Sequence, residues 1–350
     1  MKFKQFSHGA KAGVFVVLSL ALVSCETVGY YTQAARGQLA IVTSRQSIDQ
    51  LLTDENLDSH LRMKLEFVSQ LREFARSELM LPVGDNYGSY VDVGREHVVW
   101  NVFAAPEFSV SAVNWCYPIA GCVAYRGYFS EAGALDFARA TAAKGFDVYT
   151  AGVDAYSTLG WFDDSVLSTI ITRSDYQLAG LIFHELAHQL VYRAGDTTFN
   201  ESFASTVERE GLRRWLSLHG DPELLFRADQ DRERQNEFVN LIARAQEKFS
   251  ELYESEVPAE KMRLEKSMLQ EGLRDEYASL KAAWDGYAGY DSWFSKSLNN
   301  AQLSTVSAYN DFVPFFNDEL NAVAGDLEKF YQRVENLSKL DAVELALLVE

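Results

Sequence analysis

Between residues 58 and 79 the apolar side chains Leu61, Leu65, Val68, Leu71 and Phe74 recur at helical spacing and share one face. Asp58 stands where an N-cap belongs, and Leu81-Pro82 with Gly84-Asp85-Asn86 closes the element. Residues 30–52 read as an earlier helix, with Leu39, Val42 and Ile48 among its apolar positions. After Tyr87 the pattern changes. Residues 97–103, 108–115 and 123–129 are rich in β-branched and aromatic side chains and predict strands. An Ala-rich helix over 130–144 ends at Gly145, and 147–153 predicts a further strand. Next comes a strongly apolar helix around Ile182, Phe183, Leu186, Ala187 and Leu190, with Ser174 and Asp175 as N-cap candidates and Gly195 as its stop. A second helix opens near Asn200, with Thr197 or Thr198 as its cap.

Beyond Glu208 the pattern is almost wholly helical. Phe238, Ile242, Ala245, Phe249 and Leu252 step by four and three, a coiled-coil-like seam. Pro258 interrupts, and Leu269, Leu273, Tyr277, Leu280 and Trp284 make the returning stripe of a long antiparallel hairpin. Phe330 and Tyr331 fall in a last long helix. The expected fold class is α+β: N-terminal helices over 26–85, a core over 86–220 with a small antiparallel or mixed sheet beside the apolar helix, and a helical region over 221–350.

Residues 1–25 read as a leader and not as fold. Lys2, Lys4 and Lys11 are basic, and 12–23 is an apolar run too short for an ordinary membrane-spanning helix. The run ends Leu22-Val23-Ser24-Cys25, the form of a bacterial lipobox, which predicts lipid on Cys25 and a soluble body held at a membrane surface. The expected location is the bacterial cell envelope, facing the periplasm. In that oxidising compartment Cys116 and Cys122, the two remaining cysteines, predict a disulfide around a short loop. A formal net charge of −18 argues against a nucleic-acid partner.

The candidate chemistry lies in the apolar helix, in His184-Glu185-Leu186-Ala187-His188. Positions i and i+4 share a helix face, so His184 and His188 aim two imidazoles at one point, where they suit a single zinc ion. Glu185 is the candidate base for water at that metal. A third protein ligand is needed. The continuation HExxHxxGxxH is absent, because Val191 and Ala194 occupy its Gly and His positions. His97 reads as a strand residue and not as a ligand. Glu201 is the natural third donor, since two antiparallel helices on a short connection bring it back towards the histidines. Glu208, seven residues on, falls on the same face, where it would orient one of them.

His184 to Gln189 (HELAHQ) followed by Phe199 to Ser205 (FNESFAS) resembles the gluzincin metallopeptidases, in particular the alanyl-aminopeptidase group. That resemblance implies a zincin-like catalytic core, with His184, His188 and Glu201 as ligands and Glu185 as base. Twelve residues (189–200) separate His188 from Glu201, fewer than in that group, so the connection must be shortened. The stretches WCYPIAGCVAYRGYF, AYSTLGWFDD, FHELAHQ and FNESFAS look closer to a bacterial family of predicted aminopeptidases. By the gluzincin likeness, Thr158, Leu159, Gly160 and Trp161 would form an edge strand that pairs with the backbone of a peptide substrate. Asp163 or Asp164 would then receive its α-amine, and Tyr156, Tyr192 or Tyr309 would steady the oxyanion. The competing expectation is a lipid-anchored scaffold whose metal site serves structure alone. A structural zinc site tends to close with four protein ligands, and a retained Glu185 has no purpose there.

Overall fold

The computed structural model describes residues 28–117, 121–155, 163–219, 222–306 and 312–349. The leader with Cys25, the loop holding Tyr156, Thr158, Leu159, Gly160 and Trp161, and Tyr309 lie outside the described residues. Helix α1 (28–43) leads into strand β1 (Gln46–Ser47) and helix α2 (Ile48–Thr53). The single helix expected over 30–52 is therefore broken. Polar residues 44–47 leave the helix, and Gln46 and Ser47 pair with Tyr90 and Ser89 of β2 (Ser89–Val91). Helix α3 (Ser59–Ser77) starts where the sequence placed it, with the Asp58 carboxylate accepting from Leu61 N at 2.9 Å.

Next in the chain are β3 (Val99–Pro106), β4 (Trp115–Tyr117), β5 (Gly121–Val123), β6 (Arg126–Tyr128), α4 (Glu131–Ala142) and β7 (Phe146–Val153). Strands β6, β3 and β7 form an antiparallel sheet in that order. Cys116 and Cys122 face each other across the β4–β5 pair and are joined as a disulfide. The strand expected over 108–115 is not formed: 107–114 is turn and loop. Its apolar residues pack outwards on the helical hairpin instead, Phe108 against Tyr253 and Val110 against the hairpin core.

Strand β8 (Val166–Leu167) runs parallel to β2, which makes β1-β2-β8 a small mixed sheet. Helices α5 (Ser168–Ile171), α6 (Asp175–His188) and α7 (Thr197–His219) follow. The hairpin is α8 (Pro222–Glu254) and α9 (Ala259–Ala283). After it come α10 (Asp291–Phe294), α11 (Asn300–Leu303), α12 (Val313–Ala322), α13 (Leu327–Leu337) and α14 (Ala342–Val349). The expected last long helix is two shorter ones, α13 and α14. Among the described residues, no helix is long and apolar enough to cross a membrane.

The main core is built on α3, α6 and α7. Leu65, Val68 and Leu71 are fully buried, and Phe74 meets both Phe183 and Trp215, with ring centroids 5.8 and 5.0 Å apart. Each large side chain sealed this way contributes about 1.5–3 kcal/mol. The same core takes in Tyr90, Val91, Val166 and Leu167 of the mixed sheet, and Phe316, Phe330 and Tyr331 of α12 and α13. Phe316 packs on Phe199, and Phe330 and Tyr331 on Phe203, so α7 is held from its far side by chain that follows the hairpin.

A second core fills the hairpin, with Phe238, Ile242, Ala245, Phe249, Leu273, Tyr277 and Trp284 buried. The hairpin is fixed to the β6-β3-β7 sheet by a buried polar knot. Lys266 Nζ reaches Asp147 at 2.7 Å and the Glu107 carbonyl at 2.8 Å. The Asn300 amide donates to the carbonyls of Pro106 and Glu107 at 3.0 and 2.9 Å.

Candidate metal centre

Helices α6 and α7 are antiparallel and lie unusually close, and glycine allows it. A Cβ on Gly211 would sit 2.7 Å from Leu79 and 2.9 Å from Phe183; one on Gly180 would sit 3.0 Å from the Glu208 carboxylate. The connection between them is clamped. The Asn200 side chain accepts from Arg193 N at 2.7 Å and donates to Arg193 O at 2.8 Å. Two local expectations are corrected here. Helix α6 ends at His188, well short of Gly195, because residues 190–196 are drawn into this clamp. The start of α7 is capped by Asp196, whose carboxylate accepts from Phe199 N at 3.0 Å, and not by Thr197 or Thr198. Ser174 does precede α6, but its hydroxyl donates to Gln177 Oε1 and caps no backbone N–H.

The result is a convergence of three donors. His184 Nε2 lies 3.2 Å from Glu201 Oε2, and His188 Nε2 lies 3.6 Å from Glu201 Oε1. One donor atom from each of the three residues falls within 4.8 Å of the other two. Behind His184, its Nδ1 is 3.1 Å from Glu208 Oε2, which leaves Nε2 turned to the centre. Burial works against charge on His184, but hydrogen bonds to Glu201 and Glu208 outweigh it and raise its pKa to about 10. His188 goes the other way, to about 4, through burial and the charge on His184. His184 is thus the more basic of the two imidazoles, and the carboxylates around it make a pocket for positive charge.

Glu185 borders both the cleft that His184 and Glu201 line and a small recess lined by Tyr87, Asp164, Leu167, Ile170 and Leu181. Burial raises its pKa to about 7, against the pull of His184 and with further upward pressure from Asp164 and Glu201. Tyr87 was not among the tyrosines singled out in the sequence. It has a left-handed backbone (φ 56°) in the turn after α3, is 4% exposed, and has a strongly raised pKa from burial and from the charges of Glu185 and Asp164. Its turn is stitched to the segment before β8: Tyr87 N donates to Asp164 O at 2.6 Å, and Asp164 N to Asn86 Oδ1 at 2.8 Å. The run Gly84-Asp85-Asn86-Tyr87-Gly88 was the available signal, and it reads only as a helix stop.

Other candidates are placed elsewhere. Asp164 lines the recess, while Asp163 offers its carbonyl to Arg45. Tyr192 is 54% exposed on the surface. His97 pairs through Nδ1 with Asp154 at 2.6 Å, away from the donors. His184 and Glu201 open onto a cleft of about 1050 Å³ between α6, α7, α8 and the start of α12. Arg209 and Arg232 line it, and at one rim the Tyr176 hydroxyl donates to Asp231 at 2.5 Å. Asp231 and Arg232 of α8 did not stand out in the sequence.

A family model described as "putative aminopeptidase" matches residues 29–346 of the chain. No curated protein and no solved structure matches it.

Proposed function

Because the chain belongs to that aminopeptidase family, we propose that it hydrolyses peptides from the amino terminus with one zinc ion held by His184, His188 and Glu201 in a zincin-like, gluzincin-type core. The observation that carries the reading is the meeting of two imidazole nitrogens and a carboxylate within 4.8 Å, with a second carboxylate behind His184. Two nitrogens and one oxygen make one of the donor sets of catalytic zinc sites, which keep a position open for water or substrate. Zinc bound there supplies Lewis acidity to water and to the scissile carbonyl. Glu185, buried at the edge of the site, takes the proton of the attacking water and passes it to the leaving amine. Glu208 holds His184 in the tautomer and orientation that leave Nε2 free.

The test is a mixed peptide library given to purified protein without its leader, with products read by mass spectrometry. Stepwise loss of amino-terminal residues that stops with a zinc chelator is the expected result. Internal cuts would remove the aminopeptidase part of the reading, and no cleavage with zinc bound would favour the scaffold. Glu208→Gln should weaken zinc binding by about 10–100-fold and leave the fold intact; unchanged affinity in a competition titration would deny Glu208 its orienting role.

The same reading places the catalytic body at the surface of a bacterial envelope membrane, anchored through lipid on Cys25 and facing the periplasm. The joined Cys116 and Cys122 are consistent with an oxidising compartment. Cys25→Ala should move the protein from the membrane fraction to the soluble fraction. A variant that still sediments with membranes would exclude this anchor.

A further inference from the structure

One cation in the cleft has no hydrogen-bonded or ion-paired partner among the described residues. Arg209 lines the same cavity as His184, Glu185 and Glu201, and it is half-buried. Among the described residues it makes no hydrogen bond and no ion pair. Its neighbours differ: on α7, Arg213 and Arg214 each hold Glu210 at 2.7 Å, and Arg232 across the cleft holds Asp229 at 3.0 Å. Glu208 and Asp229 act on Arg209 only through space. In a chain with 50 acidic residues against 32 basic ones, none of the described carboxylates forms an ion pair with this guanidinium. Arginine stays charged at any working pH, and its planar fork fits a carboxylate in a bidentate pair.

Beside its charged groups, the cleft that Arg209 shares with the candidate donors carries several neutral carboxamides. Gln235, Asn236, Asn240 and Asn317 face it and make no side-chain hydrogen bonds among the described residues. Such groups satisfy the N–H and C=O groups of a peptide backbone irrespective of its side chains. Glu201 and Arg209 are eight residues apart on one helix, so a rise of 1.5 Å per residue puts them about 12 Å apart along its axis. An extended peptide covers that distance in about three to four residues.

We propose that Arg209 binds the free C-terminal carboxylate of a short peptide whose amino-terminal residue lies at the His184–His188–Glu201 cluster. The proposal rests on the peptidase reading and adds a substrate class, oligopeptides of about four or five residues, measured by the distance from metal to arginine. An acidic side chain near the end of a longer peptide offers the same chemistry, and the choice of ligands separates the two.

The experiment measures binding, so that it does not depend on turnover. Zinc-loaded Glu185→Gln protein is titrated calorimetrically with tetrapeptides of one neutral sequence, ending in either a free acid or an amide. The acid should bind about tenfold tighter or more, the range for a charge-assisted pair. Arg209→Gln should bring acid and amide together, and Arg209→Lys should restore part of the difference. Equal binding of acid and amide to protein with Arg209 intact would overturn the proposal. So would a preference that survives Arg209→Gln, or no binding of either peptide. An amide with glutamate at its last position that binds as well as the neutral acid would also overturn it, in favour of side-chain recognition. Cleavage of the acid tetrapeptide by the unsubstituted enzyme is scored separately. No cleavage with the acid–amide contrast intact would remove the peptidase reading and leave the carboxylate site standing.

Discussion

Glu185→Gln protein should bind zinc normally and lose about three orders of magnitude in kcat, within the range for removal of a general base. The amide keeps the size and burial of the carboxylate but cannot take a proton. Peptidase assay beside metal analysis checks this, and turnover near the unsubstituted level would show that Glu185 is not the base. The substitution has a second, opposite consequence. Folding raises the Glu185 pKa to about 7, so between the ordinary carboxylate range and pH 7 the folded state holds a proton that the unfolded chain has released. Stability of the metal-free protein therefore falls as pH rises through that window. Glutamine has no charge to bury, so above pH 7 the inactive variant should melt at a higher temperature than the active one. A lower melting temperature would mean that the buried carboxylate is better solvated than its surroundings indicate.

Glu201→Gln should have the larger effect on metal. It removes the charged donor that meets both imidazoles, so the loss in zinc affinity should exceed the about 10–100-fold expected at Glu208. The readout is stability: a ligand present at about a thousand times its Kd adds about 4 kcal/mol to folding. Zinc should raise the melting temperature of the native protein by much more than that of Glu201→Gln at the same concentration. An equal rise in both would exclude Glu201 as a ligand.

Much of this site could be read from the sequence because it depends on local geometry. His184 and His188 share a face by helical period alone, and Glu201 and Glu208 do so seven residues apart. A short connection between two apolar helices then leaves few ways to pack them. The strand expected over 108–115 was misread for the converse reason. Phe108 and Val110 are apolar because they touch the hairpin more than a hundred residues later, and β-rich composition does not say which partner is buried against it. Tyr87 and Arg209 were not legible. The tyrosine becomes part of the site through the pairing of its turn with the segment before β8. The arginine is distinguished by having no ion-paired or hydrogen-bonded partner among the described residues, which is a property of the folded chain.

The aromatic packing behind α7 has a temporal consequence. Phe199 and Phe203 flank Glu201 and rest on Phe316, Phe330 and Tyr331; Phe316 comes 117 residues after Phe199. When the HELAHQ helix first emerges into the compartment where the chain folds, the support for the helix carrying Glu201 has not yet emerged. Contacts this distant in sequence form late, since the loop they close must be ordered first. A nascent chain would carry its two histidines well before it could hold them against Glu201, and metal capture would mark the completion of folding.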